Sequence, residues 1–182
     1  MNARTVQPAP EFEVAEWLNT DGPTSLAALR GKVVAVYAFQ MLCPGCVSHG
    51  IPQAKEIRRT FGRGDVEVLG LHTVFEHHAV MGRAALQAFI HEYRIEFPVG
   101  IDRPAPKGPI PLAMARYGMQ GTPTLLLFDR SGVLRHQLFG RTEDMQVGAL
   151  VAQLAAEAPA GVVCDDGACR VSLLNQSPGE AP

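Results

Sequence analysis

An unbroken run of seven apolar residues, Val33-Val34-Ala35-Val36-Tyr37-Ala38-Phe39, leads within a few residues to Cys43-Pro44-Gly45-Cys46. The run is too short for a helix of its own and β-branched at its start. It predicts a strand buried on both faces, as in the middle of a parallel sheet. Residues 47–61 then place Ile51, Ala54, Ile57 and Phe61 on one helical side, and Gly62 and Gly64 close the segment. A cysteine pair therefore stands where a buried strand ends and a helix begins. The start of a helix offers unpaired N–H groups and the positive end of its dipole, which favour a thiolate at Cys43. The two-residue gap puts Cys46 one turn further on, within disulfide reach. This arrangement casts Cys43 as the attacking sulfur and Cys46 as the one that resolves a mixed disulfide. Pro44 suits a first helical turn, where its missing N–H is not needed.

The remaining pattern alternates strands and helices. Strands are expected at 66–74, 97–101, 124–128 and 133–139, and helices at 82–94, 112–117 and 143–157. Leu86, Phe89, Ile90 and Tyr93 mark the inner side of the helix at 82–94. Pro104, Pro106, Pro109 and Pro111 make 102–111 a rigid loop, and Asp129-Arg130-Ser131-Gly132 signals a hairpin turn. The segment 11–30 reads as an apolar patch (Phe12, Val14, Trp17, Leu18) followed by a turn at Asp21-Gly22-Pro23. The order β-α-β-α-β-α-β-β-α is that of an α/β layer sandwich with a mixed central sheet. The organisation expected is an arm over 1–10, one domain over 11–158 and a tail over 159–182.

Composition excludes several classes. The chain has 182 residues, a net charge of −2 and no basic stripe, so nucleic acid is not an expected partner. No apolar run approaches the ~18 residues of a membrane span. Four cysteines are too few for a disulfide scaffold, and they fall into two close pairs. With no apolar signal region in Met1–Pro8, the expectation is a reducing cytoplasm, where close cysteine pairs serve catalysis or metal binding.

A second signal lies downstream, Gly121-Thr122-Pro123-Thr124 directly before the strand Leu125–Phe128. With GKVVAVYAFQMLCPGC, VEVLGLHTV, GTPTLLLFD and GVLRHQLFG, the chain resembles the thioredoxin-like superfamily over roughly 8–155, most closely its TlpA/ResA-like redoxins. The resemblance implies a three-layer sandwich and a cis Pro123 beside the cysteine pair. It also implies that the backbone at Thr122 pairs with a bound peptide as an added strand. Met41-Leu42 stands where the usual tryptophan precedes the first cysteine, and Tyr37 takes the place of the buried acid of thioredoxins. Pro52 falls one residue later than expected, and His49 replaces a ResA-like glutamate. The proton-transfer group is then open among His49, His72 and Glu76. The two histidines each have a plainer alternative, a solvent-facing helix residue for His49 and a core-edge histidine for His72.

Cys164-Asp165-Asp166-Gly167-Ala168-Cys169 forms the second pair. Asp-Gly between flanking valines suggests a small hairpin with cross-strand cysteines. It is either structural or a second redox pair exchanging with Cys43 and Cys46, and its acidic neighbours make it a poor attacker by itself. The function expected is thiol–disulfide exchange with a disulfide- or dithiol-containing protein, served by a thiol electron donor, with no metal or organic cofactor. A peroxiredoxin-like peroxidase is the alternative, with Arg141 as a possible anion-stabilising charge. Against it, Val36 and Gln40 occupy the positions of that family's proline and threonine. A third possibility is a non-catalytic metal-binding domain, half its site supplied by Cys43 and Cys46 and the rest by His49 or by Cys164 and Cys169.

Overall fold

The computed structural model describes residues 7–157 and the backbone of 162–165 and 168–171. Among these residues, eight strands and four α-helices run in the order β1 (Val14–Leu18), β2 (Val33–Phe39), α1 (Ile51–Thr60), β3 (Val66–His72), α2 (Arg83–Glu92), β4 (Val99–Asp102), α3 (Leu112–Arg116), β5 (Thr124–Phe128), β6 (Leu134–Phe139), α4 (Asp144–Ala156), β7 (Val162–Asp165) and β8 (Ala168–Val171). Six strands form one sheet in the order β1-β4-β3-β2-β5-β6, and β7 and β8 form a separate pair. β2, β3 and β4 are mutually parallel, while β1, β5 and β6 run antiparallel to their neighbours. The chain is an α/β sandwich with a mixed central sheet, as its alternating pattern predicts.

Every residue of β2 is buried, because helices or loops cover both faces of this central strand. Ala35, Tyr37 and Phe39 meet Ile51, Ala54 and Ile57 of α1, Leu86 and Phe89 of α2, and Val147 and Val151 of α4. Val34, Val36 and Ala38 face the opposite layer, with Leu126, Phe128, Ala113 and Met114. Each large side chain fully withdrawn here contributes about 1.5–3 kcal/mol. The hairpin turn after β5 is closed by Asp129, whose carboxylate accepts from the Ser131 and Val133 N–H groups at 2.9 and 3.0 Å. Gly132 takes the positive φ of +69° that this turn demands.

One expectation needs correction. Residues 14–18, read from sequence as an apolar patch, form the edge strand β1, paired antiparallel with β4. A bulge between Val14 and Glu16 breaks the register and with it the period-two pattern that would have announced a strand. Before β1, the Ala9 N–H donates to the Gly132 carbonyl at 2.9 Å, and the Tyr117 hydroxyl donates to the Pro10 carbonyl.

Candidate active site

β2 delivers the cysteine turn to the carboxyl end of the parallel strands, the edge where open α/β sheets carry their ligands. Gln40 and Met41 remain buried, Leu42 is 57% exposed, Cys43 is half-buried and Cys46 is fully buried. The Cys46 N–H donates both to the Cys43 carbonyl, at 3.0 Å, and to Cys43 Sγ, at 3.3 Å. The Cys43 thiol donates to the Thr122 carbonyl at 3.4 Å. Burial, and after it the hydrogen bond with Cys43, pushes the Cys46 thiol up to about 12, against the opposing pull of hydrogen bonds from the Gln40 backbone and the Thr122 side chain. Both cysteines are unpaired thiols.

The helix behind the pair starts as a π-turn, Cys46–Gly50, before α1 proper. Its cause is visible in the sequence. Pro52 has no N–H for the Ser48 carbonyl, and the Ile51 N–H reaches back to the Cys46 carbonyl instead. The proline that stands one residue later than expected is accommodated by that one-residue widening.

The Thr122–Pro123 peptide bond is cis. The Pro123 ring lies against Gly45 and Gly50, where a β-carbon would come within 3.3 and 3.1 Å of it. The Gly140 N–H donates to the Pro123 carbonyl at 2.8 Å, and Phe139 packs over Gly121 while remaining 54% exposed. Thr122 and Pro123 are thus brought to the cysteine pair.

The other residues singled out from sequence divide. His49, half-buried, places Nε2 at 2.9 Å from the Thr142 carbonyl, which only accepts, so Nε2 carries the proton and Nδ1 is the free acceptor of the neutral ring. His72 is buried at the end of β3, and burial lowers its pKa to about 4. Its Nε2 finds no hydrogen-bond partner among the described residues. Glu76 accepts from Gln40 Nε2 at 3.3 Å, and Gln40 Oε1 accepts from the Phe75 N–H at 3.3 Å. The Gln40 amide is therefore engaged by the 75–76 loop, and Val36 lies inside β2. Arg141 is exposed and pairs with Glu143 at 3.7 Å. Among the described residues no three histidine, cysteine, aspartate or glutamate side chains gather as a metal site.

Sequence reasoning missed Gln53. This buried side chain accepts from the Tyr37 hydroxyl at 2.6 Å and donates to the Thr142 carbonyl at 2.8 Å and to Asp144 Oδ1 at 2.7 Å. Its two N–H bonds are thereby used, so its 3.4 Å approach to His49 Nε2 is a contact between donors. Its spacing of four from His49 was the available signal. Asp102 was also missed. Buried at the end of β4, it accepts from the Ala113 and Met114 N–H groups at 2.8 and 3.1 Å and from the Thr73 hydroxyl at 3.2 Å.

Fold and site together define a thioredoxin-like redoxin of the thiol–disulfide oxidoreductase class. The chain belongs to the AhpC/TSA family, whose model matches residues 5–137. It is similar to a solved thioredoxin-like superfamily protein, 53% identical with a TM-score of 0.81, over 84% of this chain and 98% of that one. It is likewise similar to a thiol-disulfide isomerase from Corynebacterium glutamicum, 48% identical with a TM-score of 0.80, over 83% and 97% of the two chains. Protein DipZ of Mycobacterium bovis is 29% identical over 85% of this chain, which spans only 21% of that protein. No described helix is long and apolar enough to cross a membrane.

Proposed function

We propose that this chain reduces or forms disulfides in partner proteins, with Cys43 as the entering sulfur and Cys46 as the resolving one. The observation that carries the assignment is the asymmetry of the pair. Cys43 reaches solvent and receives a backbone N–H, whereas Cys46 lies fully buried behind it. A Cys43 thiolate attacks a partner disulfide, whose S–S bond breaks and releases one partner thiolate. Cys46 then gives up its proton and attacks Cys43 Sγ, expelling the second partner thiolate and closing Cys43–Cys46. In reverse, the same steps oxidise a dithiol.

A thiol held up to about 12 needs a base when it attacks. His49 serves as that base. It lies three residues beyond Cys46, and the Thr142 carbonyl fixes its tautomer with Nδ1 unprotonated. His72 stays neutral down to about pH 4 and is a poor proton acceptor near neutrality. Glu76 instead holds Gln40.

Ionisation of Cys43 removes the hydrogen bond its thiol donates to Thr122, freeing that carbonyl for an extended partner segment. Leu42 and Phe139 give the surroundings of the dithiol an exposed apolar character. A thiol donor in a reducing, cytosolic compartment fits this chemistry.

Stopped-flow mixing of the reduced protein with a protein disulfide, and separately with hydrogen peroxide, tests the assignment. The disulfide should react orders of magnitude faster than with a free thiol, peroxide no faster than with one, and Cys43→Ser should abolish the reaction. A peroxide rate far above that of a free thiol overturns it in favour of a peroxidase.

A further inference from the structure

The site leaves one cysteine pair unused. In the β7–β8 pair Cys164 stands directly opposite Cys169, with Asp165 opposite Ala168 one step nearer the connection. Two residues join the strands, the spacing of a two-residue hairpin. The pair flanking such a connection is hydrogen-bonded, so the next pair outward is not. Opposed residues at a non-hydrogen-bonded position have Cα atoms about 4.5 Å apart, inside the window of about 4.4–6.8 Å over which a disulfide closes. A register slip would part the two cysteines, and the observed register brings them together.

The course of α4 bears on what this pair meets. The helix begins against α1, the helix that follows the dithiol, where Asp144 is held by Gln53. It ends at the far end of β5, where Arg130 donates to the Ala155 carbonyl at 2.8 Å. Its 13 residues span about 20 Å. The seven steps from Glu157 to Cys164 reach about 23 Å when extended. The connection's extended reach thus matches the length of α4, and a tether of that kind supplies an effective concentration of about millimolar.

We infer that Cys164 and Cys169 form a second dithiol–disulfide centre that exchanges with Cys43 and Cys46 within one chain; this rests on the thiol–disulfide reading of the site. The Cys43 thiolate attacks one sulfur of the tail disulfide. That S–S bond breaks, the other tail cysteine leaves as a thiolate and takes up a proton, and a Cys43–tail disulfide forms. Cys46 gives up its proton and attacks Cys43 Sγ, releasing the second tail cysteine and closing Cys43–Cys46. Two electrons pass from the site to the tail without an external oxidant or reductant, and the reverse transfer uses the same bonds. Asp165 and Asp166, beside Cys164, oppose negative charge there, which makes Cys43 the attacker and the tail the electrophile.

The test uses the full chain carrying Cys46→Ser, which arrests exchange at its first step. The protein is equilibrated in a glutathione buffer, quenched in acid, alkylated, digested and mapped by mass spectrometry. The expected result is a peptide joining Cys43 to Cys164 or Cys169 in most of the monomer, formed at a rate unchanged by dilution. A tail disulfide that persists beside a free Cys43, two tail cysteines alkylated as thiols, or linkage only between chains overturns the inference. Reaction of the wild-type chain with a protein disulfide, measured alongside, reports the primary assignment separately. Its loss sinks both readings, and its survival without the linked peptide sinks only this one.

Discussion

Pro123 occupies the hollow left by the missing side chain of Gly50, where a β-carbon would stand 3.1 Å from Pro123 Cβ. Replacing a mid-helix glycine by alanine ordinarily stabilises by about 0.5–1 kcal/mol. At position 50 the ring is also confined by Gly45, so it has little room to yield. Gly50→Ala is expected to destabilise by about 1 kcal/mol and to slow disulfide reduction, since the displaced ring carries Thr122 away from Cys43. Gly148→Ala in α4 meets nothing within 4 Å and should stabilise by about 0.5–1 kcal/mol. Denaturant titration of the two variants checks the contrast.

Tyr37 and Gln53 should behave as a coupled pair. Burial, and secondarily the Asp144 carboxylate, keep the Tyr37 phenol protonated far above its ordinary range. Gln53→Leu strands that hydroxyl and unties the 142–144 loop, an expected loss of about 2–3 kcal/mol. Tyr37→Phe should cost about 1 kcal/mol. The double variant should lose clearly less than the sum, and a double-mutant cycle by urea unfolding measures the difference.

His49→Gln keeps a donor for the Thr142 carbonyl but removes the proton acceptor. Resolution of the mixed disulfide should slow by about a hundredfold, while attack by Cys43 is little changed. Quenched-flow trapping should then show the mixed disulfide accumulating. A purely structural role would slow attack and resolution alike.

Cys46 contributes to the alkaline limit of the reduced protein. Its thiol is raised from 9.0 to about 12 in the fold, so the unfolded chain ionises first as pH rises. The stability contributed by the buried thiol is complete below about pH 9 and is lost as pH climbs towards 12. Three units correspond to about 4 kcal/mol at most. Unfolding free energies across that range should fall more steeply for the reduced wild type than for Cys46→Ser.

His72 acts at the other end of the scale. Burial lowers its pKa from 6.5 to about 4, so the unfolded chain binds the proton first as pH falls. Its contribution is present above pH 6.5 and is lost on the way down to about pH 4, roughly 3 kcal/mol in all. His72→Phe removes both this loss and an unpartnered buried nitrogen. The variant should match or exceed the wild type at pH 7 and exceed it by more at pH 5, as read by thermal unfolding.

What the sequence disclosed followed local physics. β2 and β5 were legible because strands buried on both faces read as continuous apolar runs, and β5 is observed at the expected 124–128. The helices at 83–92, 112–116 and 144–156 fall within a residue or two of expectation, since their apolar spacing is undisturbed. β1 was hidden by its bulge. The role of Gln53 depends on Thr142, far away in the chain, and no window of neighbouring residues contains that information. The role of Asp102 depends on how the proline-rich loop after it turns the start of α3 back onto β4, which apolar spacing does not report. The π-turn was foreshadowed only by the late position of Pro52.

Because Cys46 has no exposed surface while Cys43 does, the dithiol has a single door. An alkylating reagent, an oxidant or a partner disulfide arriving from solvent must deal with Cys43 first. The order of the two half-reactions is thus imposed by access as well as by reactivity. A one-equivalent thiol reagent should disable the pair while leaving half of its sulfur untouched, and the buried thiol acts only on what the outer one has already bound.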